Sequence, residues 1–482
     1  RKTHFRGVHC LSIFELMRKQ ESLTEHLDWP LFGALLTMLF MGLATVYSVA
    51  YNEDAPSLFN FSEKYGRQLF WIIFSLFLGL LVFLIDADIY RKFAIPIYLS
   101  TLGLLVVVLF MPAVHGAHAW IGIGSFGVQP AEFAKISTSL LLAKYISGLT
   151  VKQQTTSTVL TASAILLIPM GLILLQPDAG TFVVFTSFLF VMYREGLTFD
   201  PIILKFVNSI PGVRYKETWV GSHFIPILFA LVFLSVITLL IKDVHFDLPV
   251  FGYILSLSGS SSVIFGLLLI YGLSWLLMQR FSTRRDRSRL MVVLTLGLLI
   301  SSAISFGVDK GFASLRKHQK DRIELFLGLR EDPNGDDYNR NRAMAAVGSG
   351  GFLGKGYREA SVSSVRSNHV PESETDFIFC PFAEEWGFVG VVVLFILYFF
   401  VLFRIIIIAE RQRAAFNRIY AYCVAMILFY HFAINIGMNI GFAPVIGIPL
   451  PFFSYGGSSM MSFSVMLFIL LKLDAQRKDV LR

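Results

Sequence analysis

Apolar runs of near-helical membrane length, parted by short polar breaks, recur along almost the whole chain. Twelve stand out, at about 29–51, 68–85, 94–111, 131–148, 158–177, 179–196, 224–241, 250–278, 290–312, 387–409, 416–441 and 458–473. A bilayer core about 30 Å thick takes roughly 20 residues of helix. Backbone polar groups must be satisfied internally there, so the runs predict helices rather than open strands. The fourth and twelfth runs are the weakest, being short or broken by polar residues. The pattern predicts an all-α, polytopic membrane helix bundle of about twelve transmembrane helices with one large loop. In chain order this gives an N-terminal segment (1–28), an N-terminal part of the core (29–199), a further transmembrane region (200–312), the large loop (313–386), a C-terminal part of the core (387–473) and a tail (474–482). No signal peptide is expected: residues 1–28 are polar and basic, and the run that follows is long enough to span. Met17 is a candidate natural start.

Composition narrows the class. Of 482 residues, 55% are hydrophobic and 15% charged, and the mean hydropathy is +0.66. Soluble domains carry about 25% charged residues, so an ordinary soluble enzyme, a disordered chain and a nucleic-acid-binding module are excluded. Cys10, Cys380 and Cys423 are far apart and suggest neither a disulfide scaffold nor a zinc site.

The net charge of +8 matters through its location. Basic residues cluster in alternate breaks: Arg18 and Lys19, Arg91 and Lys92, Lys152, Arg194 to Lys216, Arg284 to Arg289, Arg411 to Arg418, and Arg477 to Arg482. Breaks 112–130 and 442–457 have none. The positive-inside rule therefore predicts that both termini are cytoplasmic. The long segment 313–386 falls outside and holds ten Lys or Arg, which long translocated segments tolerate. Within 313–380, ten acids balance ten bases, so the +8 belongs to the rest of the chain.

A charge at the bilayer centre costs about 2.5–3.5 kcal/mol on insertion scales, so polar residues near spans carry information. In Gln129-Pro130-Ala131-Glu132-Phe133-Ala134-Lys135, proline suits a first helical position, and Glu132 and Lys135 share a face. They read either as a pair satisfying itself inside the bundle or as the charged wall of a polar cavity. Gln176-Pro177-Asp178-Ala179-Gly180-Thr181 marks a tight re-entry, with Asp178 as a helix cap or a site residue. His431, Asn435 and Asn439 form one stripe, which suits interhelical hydrogen bonding or the lining of a substrate path. In Pro371-Glu372-Ser373-Glu374-Thr375-Asp376-Phe377-Ile378-Phe379, Asp376 sits where polar loop meets apolar run. Desolvation there raises a carboxylate's pKa and makes it a better base. Gly354-Lys355 is not a P-loop, since Ser349 and Gly356 break GxxxxGK[ST].

These stretches resemble the SEDS family (shape, elongation, division, sporulation), nearest its elongation branch, RodA, with FtsW as the division relative. Also carrying the match are Gly116-Ala117-His118-Ala119-Trp120, Gly348-Ser349-Gly350-Gly351, Gly354-Lys355-Gly356, Glu384-Glu385-Trp386-Gly387, and Pro444 through Ser459 (PVIGIPLPFFSYGGSS). The resemblance covers roughly 29–196 and 313–475. It implies a ten-helix core with a helix pair inserted among the seventh to ninth spans. Departures surround the presumed site: Ala119 stands where the family usually has Arg, Glu374 where His is common, and Arg342-Ala343 where Gln-Ser is usual.

The resemblance implies a peptidoglycan glycosyltransferase that polymerises lipid II on the outer face of the bacterial cytoplasmic membrane during cell-wall elongation. It implies Asp376 as the catalytic carboxylate. Glu132, Lys135 and Asp178 would support the cavity. Arg322, Arg342, Lys355, Glu372, Glu374, Ser454 and Ser458 are candidates for contacting substrate or pyrophosphate. No residues are assigned to a metal, and a divalent cation (Mg2+ or Mn2+) is allowed. The implied partners are a class B penicillin-binding transpeptidase, elongation-complex membrane proteins, lipid II and undecaprenyl pyrophosphate. Rival readings are a lipid II flippase, a non-catalytic scaffold and a secondary transporter; no related halves of the kind that transporters show are visible.

Overall fold

The computed structural model describes residues 27–477 except 53–56, 113–117, 124–125, 150–154, 210–215, 217–220, 222, 243–244, 251–252, 282–283, 316–319, 321–323, 325–328, 330–336 and 364–369. Met17, Arg322 and the Gly116-Ala117 pair lie outside the described residues. The chain divides into two compact units: residues up to Leu197 with those from Asn339 onward, and Thr198–Tyr338.

In the first unit the helices are α1 (Trp29–Val49), α2 (Lys64–Leu84), α3 (Ala87–Val108), α4 (Pro130–Ser147), α5 (Thr156–Leu175), α6 (Ala179–Phe185) and α7 (Ser187–Arg194). A short antiparallel ribbon, β1 (Ile121–Ile123) with β2 (Phe126–Val128), precedes α4. The second unit holds α8 (Asp200–Val207), α9 (Phe224–Leu240), the hairpin β3 (His245–Val250) and β4 (Tyr253–Ser258), α10 (Ser260–Phe281) and α11 (Arg284–Ser314). Helix α12 (Asp337–Ser349) leads back into the first unit, which closes with α13 (Phe379–Arg411), α14 (Ala415–Asn439) and α15 (Gly457–Ala475).

Each of the twelve apolar runs falls on helix. Nine described helices are long and apolar enough to cross a membrane, and Ala179–Arg194 and Phe224–Leu240 are shorter apolar stretches. The remaining run is α4, whose Glu132, Lys135 and Lys144 lower its hydropathy. Three boundaries are corrected. The eighth run opens at the end of strand β3 and includes β4, and its helix begins only at Ser260. The sixth is two short helices meeting at Thr186. The tenth begins at Phe379 rather than 387, inside what the hydropathy pattern assigns to the loop.

The last correction has a backbone cause. Gly387 interrupts α13 with φ 60° and ψ −163°, a region costly for residues with a Cβ. A Cβ there would lie 2.2 Å from the Gly354 nitrogen. The polar turn of helix before it (Cys380 to Glu385) is buried under the 350–356 segment, whereas the apolar helix after it includes exposed Phe388, Val392 and Ile396.

Helix starts follow local chemistry. Asp28 caps α1 by accepting from the Leu31 N–H at 3.1 Å, Asp178 caps α6 through Thr181 at 2.9 Å, and Thr155 and Thr158 cap α5 reciprocally. Within the first unit α2 packs on α15, α13 on α14 and α1, and α4 on α3, α5 and α14. Helix α15 is buried almost throughout. Apolar burial adds little between helices surrounded by lipid, where close packing and hydrogen bonds decide. One such set joins Asp28 to Arg404 (2.6 Å) and Arg411 (2.8 Å), and joins Asp474 to Arg411, Gln412 (2.9 Å) and Arg477 (2.8 Å). It ties the start of α1 to the ends of α13 and α15.

Candidate functional site

At the opposite end of these helices, stretches distant in sequence converge on the turn 371–378. The turn is tight: Thr375 and Phe377 N–H groups both donate to the Glu372 carbonyl (3.1 and 3.2 Å), and Glu372 takes φ 53°. Its anchor is apolar. Phe377 and Cys380 pack with Ala343 and Ala346 of α12 and with Val370.

Three successive main-chain carbonyls of the turn are held from outside. Tyr455 N–H donates to Glu374 O at 2.9 Å, Ser454 Oγ to Thr375 O at 2.7 Å, and Asn435 Nδ2 to Asp376 O at 2.8 Å. The Glu374 side chain is buried and paired with Lys64 at the start of α2. The Asp376 carboxyl faces Gly447, where a Cβ would come within 3.2 Å of Oδ2 and where φ is 68°. Burial, then the charges of Glu372 and Asp178, push the Asp376 carboxyl up to about 7.

A second polar layer lies beneath. Lys135 Nζ contacts both Glu132 oxygens at 2.9 Å and His431 Nε2 at 2.8 Å, and sits 5.0 Å from the Phe463 ring centroid. Glu132 and Lys135 are both buried, so the pair satisfies itself inside the bundle. Asp178 does double duty: it caps α6 and accepts from Gln129 Nε2 at 2.7 Å. The stripe on α14 is spent on main chain and on Lys135. His431 Nδ1 lies 3.2 Å from Pro449 O, and Asn435 also donates to Ile448 O at 2.6 Å.

The other expected residues are distributed differently. Ser458 Oγ accepts from Gln129 N–H and donates to Gly127 O, both at 3.0 Å. With Ser454 it holds loops together. Lys355 is drawn to Glu384 (2.5 Å) and Ser361 (2.9 Å). Glu384 also accepts from the N–H groups of Ser361, Val362 and Ser363. Arg342 lies half-buried on α12, Ala119 is buried, and Glu372 is exposed. Among the described residues no group of three or more His, Cys, Asp or Glu is placed to hold a metal ion, so the chain offers the allowed divalent cation no cage there.

Lys64 and Asn435 are the site residues that sequence reasoning missed or undervalued. Lys64 carried a signal: it is a basic residue at the start of an apolar helix, three residues before Arg67. Nothing local marks Asn435 as a partner of Asp376. Beside the turn, Val347, Gly351, Phe379, Ala383, Phe395 and Ile436 help line an apolar cavity of about 300 Å³.

These features define a polytopic membrane protein with a carboxylate-bearing polar site at one end of its helices. A family model described as "Cell cycle protein" (FtsW/RodA/SpoVE) matches residues 29–216 and 261–479, and the chain belongs to that family. The unmatched stretch between holds α9 and the β3–β4 hairpin. Peptidoglycan glycosyltransferase RodA of Treponema pallidum is 29% identical over 478 residues, covering 93% of this chain and 98% of the relative. Peptidoglycan glycosyltransferase MrdB of Escherichia coli K12 is 26% identical, covering 94% and 95%. Among solved structures, a chain from a peptidoglycan synthase complex that coordinates polymerization and crosslinking aligns with TM-score 0.63 at 24% identity, covering 94% and 98%. Rod shape determining protein RodA of Thermus thermophilus aligns with TM-score 0.53 at 21% identity, covering 94% and 98%. These two show the same fold.

Proposed function

We propose that this protein is a peptidoglycan glycosyltransferase that polymerises lipid II during cell-wall elongation. The observation that carries the reading is Asp376, a carboxyl pushed up to about 7 on a turn whose backbone is fixed at three successive carbonyls. The glycosyltransferase names of the relatives, at near-full coverage of both chains, support it.

The reaction joins a sugar hydroxyl to an anomeric carbon and releases a polyprenyl pyrophosphate. Asp376 takes the hydroxyl proton as the new bond forms; a base with a pKa near ambient pH is suited to this. The leaving group departs already negative and needs cations rather than an acid. Lys64, paired with Glu374 beside the turn, and Arg342 on α12 are the side chains we assign to it. A divalent ion would arrive on the diphosphate, as Mg2+ commonly does, rather than in a protein cage. Glu372 borders the carboxylate and tunes it. Glu132, Lys135 and Asp178 hold the helices that shape the site. We further assign the protein to the bacterial cytoplasmic membrane with both termini inside and the Asp376 turn outside. A class B penicillin-binding transpeptidase is its working partner, within a larger elongation assembly.

Purified protein supplied with lipid II should yield glycan strands on a gel, and Asp376→Asn should yield none while keeping its melting temperature. Full polymer formation by Asp376→Asn overturns the assignment. Movement of lipid II across vesicles without polymer favours the flippase instead.

A further inference from the structure

We propose that Asn435 is a positioning residue that sets the Asp376 carboxylate for proton transfer. This rests on the reading of Asp376 as the base. Asn435 is fully buried on α14. Its amide nitrogen donates to two carbonyls from different segments: Asp376 O at 2.8 Å and Ile448 O at 2.6 Å. The second segment is the one whose Gly447 faces the Asp376 carboxyl oxygen. One rigid amide therefore fixes both sides of the gap in which the carboxylate sits. Its own position is fixed in turn. Asn439 Nδ2 donates to Asn435 O at 2.7 Å, and His431, one turn earlier, is held between Lys135 and Pro449 O. The buried Glu132–Lys135 pair is thus linked through one helix face to the turn that bears the base.

The stripe has no donor to spare for substrate at Asn435, because an amide nitrogen has two hydrogens and both are used. Its role is geometric. Reacting groups must be held within a fraction of an ångström, and a 1 Å misplacement costs about 100-fold in rate. Glu372 on the same turn and Asp178 at the start of α6 are the charged groups that bias the Asp376 carboxyl, while α14 holds the main-chain carbonyl of the same residue through the neutral amides of Asn435 and Asn439. Releasing the turn from α14 changes its distance to both charges and its exposure to water.

The test uses the full-length protein in detergent or nanodiscs with lipid II. Asn435→Ala removes both donors, and Asn435→Leu keeps the approximate volume but removes them without adding a charge. The expected result is a fall in kcat of about 100-fold, KM within a few-fold, and an acid limb displaced from that of the wild type. A merely structural residue would lower the melting temperature without moving the pH limb. Unchanged kcat and pH limb in either folded variant overturns the inference. Loss of folding in both variants also overturns it, because the residue would then serve the bundle rather than the base. Asp376→Asn run alongside separates the two claims. If it retains activity, the base assignment fails; if it is inactive while the Asn435 variants match wild type, only the positioning role fails.

Discussion

At the scale of single residues, the proposed chemistry turns on the charge state of Asp376. Its carboxyl is raised from 3.8 to about 7 by burial first, then by Glu372 and Asp178. A base must be ionised, so polymerisation should rise with pH through about 7 and level off above it. The stability sign is opposite. A raised carboxyl favours folding fully below its unfolded value, and this contribution is lost as pH rises through the folded value. The melting temperature should therefore decline between about pH 4 and 7 from this group, as activity appears. Glu372→Gln removes one neighbouring negative charge and should move the acid limb of activity to lower pH. A limb that stays in place, measured by initial rates from pH 5 to 8, would mean that burial and Asp178 set the shift without Glu372. Lys64→Gln should reduce polymerisation through weaker binding of the diphosphate and a looser Glu374, read as a higher KM.

At the scale of elements, the site is made by helix ends and the loops between them. Gly387 is the test case. With φ 60° and a Cβ that would meet the Gly354 nitrogen at 2.2 Å, Gly387→Ala should cost at least about 1–3 kcal/mol. It should also separate the 350–356 segment from α13, seen as a lower melting temperature and faster proteolysis near residue 355. The same position shows what could be read in advance. Hydropathy marks where α13 becomes apolar, at 387, but not that Phe379–Trp386 is already helical, because its Glu384 and Glu385 read as loop until the groups that receive them are seen. Glu384 is satisfied by Lys355 and by N–H groups at Ser361 to Ser363, more than twenty residues away in sequence. The Asp376 turn was recognisable from local order, a carboxylate between polar loop and apolar run. Lys64 and Asn435 were not tied to it, because their contacts span 310 and 59 residues and no periodicity encodes such distances. The pairing of Glu132 with Lys135 needed only helical spacing, which is why it was legible.

At the scale of the whole molecule, two charge systems lie at opposite ends of the first unit. One gathers Asp28, Arg404, Arg411 and Asp474; the other gathers Asp178, Glu372, Glu374, Asp376 and Lys64. The first is built for cohesion. Asp474 is fully buried, and Asp474→Ala would leave Arg411 with Asp28 alone and take the carboxylate from Arg477 and Gln412; both arginines keep partial access to water, so the loss should be up to about 3 kcal/mol, read as a lower melting temperature with little change in KM. That same cluster gives the orientation a physical test. It joins the start of α1 to the ends of α13 and α15, so these three ends share one side, which the proposed orientation makes cytoplasmic. Glu359 and Arg413 are exposed and lie before and after α13, whereas Cys380 and Cys423 are buried and poorly reactive. In a background with Cys10 replaced by Ser, Glu359→Cys should react with a membrane-impermeant maleimide in intact spheroplasts. Arg413→Cys should react only after the membrane is opened. The reverse pattern would put the Asp376 turn on the cytoplasmic side, where a polymerase of outward-facing glycan has no use for it.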